Sequence, residues 1–475
     1  MTKPFSALWR LRPAMLLLVP LALATPHLHA QAKGTWVLQD ARVVPVSGPN
    51  LEHGTVIVRD GLIEAVGANL PAPKDGWVID CKGLTIYPGL IDGLSNWGLT
   101  NTPATAAPAA GGGRGGGGGR GGIVVTAPTP ASVAQQPQTQ SRGPEDRPST
   151  ASWIKAADQL FPNDRAIEAN RNGGFTSAVT FPTGSIFSGQ GSVINLAGER
   201  AGDMVLADAV GQHISLRTAG FRSYPDSLMG TIAYIRQLYL DADRYKLGKS
   251  IYEKHPQGLQ RPAYDRALEG VLASPRILLP ATRNVEVERM ITFAKELKVN
   301  AILYGGHEAW RSIDVLKQAG TPVLVSLRYP EKVADADPAL DEAERTLELR
   351  DKAPTAAGAL AKGGIKFAFY SDGVATPREI KAAVKKAIDA GLDPAAALRA
   401  LTLSPAEIFG VSDRIGSIEK GKIANLVIAD GDLFATSTKV KYIFVDGGRY
   451  EPPVEEAPAR PNFGGRGGGR GGPVQ

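Results

Sequence analysis

The chain is poor in the residues that most often build self-contained chemistry. Cys81 is its only cysteine, which excludes an intrachain disulfide, a multi-cysteine zinc site and a cysteine-held iron–sulfur cluster. Six histidines are spread over 475 residues, so an imidazole-rich metal centre has few donors to draw on. Charged residues make up 21% against 43% hydrophobic, which rules out a wholly disordered polyelectrolyte. Beyond the first 32 residues no apolar run reaches the ~20 residues of a membrane helix. The sequence has no Gly-x-Ser-x-Gly elbow and no phosphate-cradling loop with its lysine.

Glycine and proline are in excess, at 55 and 35 residues, too many for close packing throughout. Many fall in residues 102–150 and 451–475. Both segments have too few large apolar side chains to offset ordering entropy, so both are expected to be disordered. The length, about three times a ~150-residue domain, predicts several domains or one large barrel with attachments. The net charge is +6, but Lys3, Arg10 and Arg12 lie near the N-terminus and Arg114, Arg120, Arg466 and Arg470 in glycine tracts. The remaining body is close to neutral, so nucleic acid is not expected as a partner, and the arginine–glycine tracts are read as linkers with weak anion affinity.

Residues 1–32 read as a secretory signal, with Lys3, Arg10 and Arg12 ahead of an apolar run from 14 to 24 and the small-residue site Ala30-Gln31-Ala32. Cleavage after Ala30 and after Ala32 both fit. Export to a periplasmic or extracellular location, without a membrane span, is the expectation.

Residues 33–88 carry short alternating β runs, with the Arg59-Asp60-Gly61 corner as a hairpin signal. Residues 411–450 repeat that texture, with Asp430-Gly431 and Asp446-Gly447 as turns. The middle, 89–410, alternates strand-like runs at 85–91, 176–181, 276–281, 301–304, 322–327 and 365–370 with helical stretches, which argues for parallel βα units. Thr376-Pro377-Arg378-Glu379 is a capping box ahead of a helix ending at Gly391; Asp393-Pro394 and Ser404-Pro405 open two more.

Tyr87-Pro88-Gly89-Leu90-Ile91-Asp92-Gly93 resembles the first barrel strand of the amidohydrolase superfamily, whose imidazolonepropionase-like and dihydroorotase-like branch is the nearest in pattern. Pro405-Ala406-Glu407-Ile408-Phe409-Gly410 and the stretch Gly416-Ser417-Ile418-Glu419-Lys420-Gly421 through Val427 resemble the same superfamily's closing helix and terminal strands. The resemblance implies an α/β fold, a (β/α)8 TIM-like barrel with a small β-sandwich built from both termini. It also implies hydrolysis of C–N or related bonds in small molecules by metal-activated water, with zinc as the expected divalent metal.

The family pattern continues into His-x-His, where this chain has Leu94-Ser95-Asn96. Leucine donates no lone pair and a neutral amide is a poor substitute for imidazole. Pro280 stands where another ligand is expected. The candidates that remain are Asp372, as metal ligand and proton acceptor, and His307, as metal ligand, each at a strand end where barrel chemistry gathers. Asp372 also reads as an Asp-Gly turn residue, and His307 as a capping or hydrogen-bonded structural residue. Asn96 and Glu308 are candidate substrate contacts, and the candidate sources of a third ligand are Glu308, an inward-pointing His213 or a partner chain. His255 reads as a surface-loop residue and Asp92 as a structural carboxylate. On a barrel, the glycine-rich insert would emerge over the pocket as a mobile cover. Two functions follow: a hydrolase with a reduced mononuclear or metal-free site, or a catalytically degenerate binding or assembly subunit, in a homo- or hetero-oligomer.

Overall fold

The computed structural model describes residues 34–99, 147–218, 223–332 and 341–453. The expected secretory segment, the insert up to residue 146 and the tail beyond 453 lie outside the described residues. The insert boundary at 150 is corrected: Thr150 is buried and bridges to Phe187, and Arg147 pairs with Asp241.

Eighteen strands are described. In chain order they are β1 (Trp36–Val43), β2 (Leu51–Arg59), β3 (Leu62–Ala68), β4 (Trp77–Asp80), β5 (Thr85–Pro88), β6 (Leu90–Ser95), β7 (Phe175–Thr180), β8 (Phe187–Gln190) and β9 (Ser192–Asn195). Then come β10 (Val205–Ala207), β11 (Gln212–Ile214), β12 (Ile277–Ala281), β13 (Ala301–Gly305), β14 (Val323–Ser326), β15 (Phe367–Tyr370), β16 (Leu426–Ala429), β17 (Val440–Val445) and β18 (Gly448–Tyr450).

Both ends of the chain meet in one eight-stranded sheet, ordered β18-β17-β16-β5-β1-β2-β3 with β4 on β1. Its strands share a core that includes Trp36, Leu38, Val56, Ile86, Leu426 and Phe444. The Asp60-Gly61 and Asp446-Gly447 corners take the left-handed φ values, 51° and 87° in one and 50° and 74° in the other, that such tight turns demand.

Residues 85–91, expected as one strand, form two strands in different sheets. The break is Gly89, where an added Cβ would lie 1.9 Å from Thr176 Oγ1. Its N–H bonds Asn425 O at 2.8 Å. A side chain at 89 would force the two sheets apart.

The middle builds two further sheets, β10-β9-β7-β6 and β15-β14-β13-β12-β11-β8. The pair β6/β7 is parallel, as is the run β11 to β15. Alternate residues on these strands enter two different cores, as the period of two requires. Ile91, Val179, Leu278, Ile302, Leu324 and Ala368 meet on one side, while Leu90, Ala178, Leu279, Leu303, Val325 and Phe369 pack on the other.

The expected (β/α)8 barrel is corrected: among the described residues these strands form two separate sheets, with no closed ladder around them. Between β7 and β11 the chain inserts antiparallel strands, and it crosses from one sheet to the other through Gly191, between β8 and β9. At the opposite joint, Ile91 N bonds Leu401 O at 2.6 Å instead of a neighbouring strand. There the Asp92 carboxylate reaches across and accepts from Ser371 N at 3.1 Å.

The helices follow their local signals closely. The Thr376/Glu379 capping box is formed, and the helix Pro377–Asp389 follows it. Asp393 caps Pro394–Ala400, whereas Leu403–Phe409 starts from Thr402 and not from the expected Ser404, and ends at Gly410 with φ 78°. The longest helix, Leu228–Lys254, is capped by Ser227, whose Oγ accepts from Gly230 N at 3.1 Å, a local signal the sequence reading passed over. Among the described residues no helix is long and apolar enough to cross a membrane.

Candidate functional site

The side of the parallel strands that carries Ile91, Val179 and Leu278 ends in a set of mostly large side chains where the site was expected. Leu94 and Tyr304 pack on that core together with Phe181 and Tyr370. The rings form a chain: Phe181 to His213 at 6.0 Å, His213 to Tyr304 at 5.3 Å, and Tyr304 to Tyr370 at 6.4 Å. Burial pushes both phenols up, and the nearby Asp372 charge pushes them further. They are therefore neutral near pH 7 and unsuited to act as phenolate ligands.

Asp372 follows β15 with φ 51°, as the turn reading of it requires. It shapes the turn into Gly373, and its Oδ2 accepts from Ser326 Oγ at 2.7 Å. Ser326, the last residue of β14, in turn accepts from Arg328 N at 3.1 Å.

His307 follows β13 and is buried. Its ring is tied to the Ser326 backbone, while Nε2 is buried with no partner among the described residues. The tied nitrogen is therefore Nδ1, which donates to the carbonyl and leaves Nε2 as a buried acceptor without a partner. Burial holds the imidazole below its usual value, opposed by the Asp372 charge. His213, on β11, shows the same arrangement, bonded to the Pro182 backbone with Nδ1 unpartnered and its pKa lowered by burial to about 4.

The other expected residues serve elsewhere. Glu308 is corrected from substrate contact to structural anchor: Oε2 accepts from Asn284 N at 3.0 Å, capping the helix Asn284–Leu297, and Oε1 meets Arg345 Nη2 at 3.4 Å. Asn96 is exposed in the turn after β6. His255 ends the long helix, and His53 bonds Asp40 in the terminal sheet. Asp92 is a structural joint, accepting from Leu94 N and Ser371 N, and burial pushes its carboxyl up to about 7.

Sequence reasoning missed the set of Phe181, Tyr304 and Tyr370, which it left among ordinary strand residues. The available signal was the period of two: Ile302 with Tyr304, Leu324 with Ser326, and Ala368 with Tyr370 share faces of their strands.

Comparison with known proteins bears on this geometry. The Amidohydrolase family model matches residues 265–450. A curated relative, Amidohydrolase tasK of Hapsidospora irregularis, is 24% identical over 442 residues, covering 84% of this chain. The chain spans 40% of that protein's length. A solved amidohydrolase from Thermotoga maritima MSB8 superposes with a TM-score of 0.68 at 25% identity, covering 88% of this chain and 100% of that one. These matches support membership of the amidohydrolase superfamily.

Members of the superfamily typically depend on a metal, so the amidohydrolase site here must be tested for fit. It does not fit. Leu94 contributes packed carbon and Pro280 a ring without a donor atom. Among the described residues no group of three His, Cys, Asp or Glu is placed to hold a metal ion. Every histidine beyond residue 29 lies within the described residues, so no further imidazole is left to complete the set. His307 Nε2 and the Asp372 carboxylate make two donors, short of the three protein ligands of a catalytic zinc site.

Proposed function

We infer that this chain keeps the amidohydrolase scaffold and a small-molecule mouth but not the metal-activated water, and that it serves as an exported ligand-binding or assembly subunit. The observation that carries the reading is the substitution of carbon for donor atoms at the mouth, at Leu94 and Pro280. What remains there is acceptor chemistry: the buried, unpartnered Nε2 of His307 and the Asp372 carboxylate. Such a pair suits a ligand with N–H donors, as amide-like C–N compounds have. Export rests on the character of residues 1–32.

The test is a panel of dipeptides, cyclic amides and carbamates presented to the purified chain with added zinc, followed by product release and by thermal shift. The expected result is no zinc-stimulated hydrolysis, with thermal shifts from a subset of compounds that His307→Ala abolishes. Zinc-stimulated turnover by the unmutated chain overturns the reading.

A second reading, C–N hydrolysis without the family's metal centre, is favoured by one observation. An unprotonated, unpartnered Nε2 within the field of the Asp372 charge is suited to general-base work, which contributes about 10²- to 10⁴-fold. Turnover that survives chelation and disappears in His307→Gln would establish it.

A further inference from the structure

We propose that two copies of this chain associate through the helix Leu228–Lys254, laid antiparallel across a two-fold axis between Asp243 and Arg244. The helix has 27 residues and is therefore about 40 Å long. One side is fixed to the body by Thr231, Tyr234, Ile235, Leu238 and Ala242. The other carries large apolar side chains in solvent: Met229 is 82% exposed, Leu240 63%, Leu247 61% and Ile251 46%.

Their positions are regular. Leu240 and Leu247 are seven residues apart, and Met229, Leu240 and Ile251 recur every eleven. At 3.6 residues per turn all four fall within about 40° of one another around the axis, forming a single stripe. Isolated exposed leucines are ordinary, but a continuous stripe marks a contact surface. Two hollows, of about 520 and 440 Å³, lie along the same helix, one lined by Lys249 and Tyr252, the other by Ile232 and Arg236.

The pattern selects a second copy as the occupant because it is complementary to itself. An axis between Asp243 and Arg244 sets Leu240 against Leu247 of the second copy, and Leu247 against its Leu240. It also gathers the exposed Asp243 and Arg244 of both copies into a group of two negative and two positive charges. The neighbouring charges Asp241 and Lys249 are already held within the chain by Arg147 and Glu269. Residues 233–254 would overlap, about 33 Å of helix. At a width of about 10 Å per helix that buries about 700 Å² in total, below the ~1,200 Å² of a standard interface, so association is weak unless flanking residues such as Tyr264 add to it. Micromolar affinity is expected.

Sedimentation velocity of the full chain across the micromolar range tests this. A two-copy species is expected to grow with concentration. Leu240→Glu combined with Leu247→Glu should give a monomer throughout with unchanged circular dichroism, since both positions face solvent. Asp243→Arg should weaken association about tenfold, and adding Arg244→Asp in the same chain should restore it. A monomer at every concentration, or an assembly that persists in the double glutamate variant, overturns the proposal. The outcome is independent of metal content or catalysis, so it stands or falls apart from the functional reading above.

Discussion

Replacing Asp92 by alanine is expected to cost about 2 to 6 kcal/mol, because it strands one buried and one half-buried N–H group at about 1 to 3 kcal/mol each. Those groups are Leu94 N and Ser371 N, each 3.1 Å from Asp92 Oδ1. Through the bond from Ser371 N the carboxylate joins β6 to the end of β15, where no strand ladder does so. Asparagine keeps the Oδ1 acceptor and removes the buried charge, so Asp92→Asn should fold with little loss. The two variants should also differ in pH dependence. Burial raises the Asp92 carboxyl to about 7 in the folded chain, against about 4 when unfolded. The folded state therefore binds the extra proton, and this stabilisation is complete below about pH 4 and lost as pH rises to about 7. The slope in that window is at most about 1.4 kcal/mol per pH unit. Urea denaturation from pH 4 to 8 should show Asp92→Asn losing this slope and matching or exceeding the parent at pH 8. An alanine variant as stable as the parent would remove Asp92 from the joint.

Gly191→Ala is expected to destabilise by about 3 kcal/mol or more, at the upper end of overpacking costs. An added Cβ would lie 2.3 to 2.5 Å from three carbons of the Phe181 ring. The ring is fully buried and cannot retreat. Nor can the backbone easily move: Gly191 N bonds Gly211 O and its own carbonyl accepts from Val210 N, both at 2.9 Å. Combining Gly191→Ala with Phe181→Leu should cost clearly less than the two single changes added together, since the smaller side chain vacates the clash. Additive costs would show that the strain lies in the backbone crossing and not against the ring.

Much of the fold was legible because its signals are local. Strands at 176–181, 276–281 and 365–370 and the caps at Thr376 and Asp393 depend on neighbours within a few residues. The terminal sheet was legible from matching β texture and Asp-Gly corners. What failed was set by contacts distant in sequence. The break at Gly89 is dictated by Thr176, and the open barrel joint by Leu401 and Ser371. The long helix went unread because its apolar residues lie on both faces, one facing the body and one facing solvent. At the site, strand-end position pointed to His307 and Asp372, and the structure adds the Ser326 link between them. Glu308 misled because a carboxylate next to a strand-end histidine reads the same in sequence whether it meets a ligand or caps a helix.

Asn425 shows how much such distant contacts can hold together. Its amide donates to Ser177 Oγ at 3.0 Å and Asn195 Oδ1 at 2.7 Å and accepts from Asp446 N at 2.8 Å. One buried side chain thus ties the terminal sheet to β7 and β9, and nothing in its neighbourhood in sequence announces it.

The central claim, that this chain does not assemble the superfamily's metal centre, is tested most directly by metal content. The chain should be purified without chelators, supplied with zinc, freed of loose metal by gel filtration and analysed by mass spectrometry for metal per chain. The account predicts well below one equivalent of zinc. Leu94→His with Asn96→His should raise that only partially, because Pro280 still offers no donor. One or two tightly held equivalents in the unmutated chain would contradict the account.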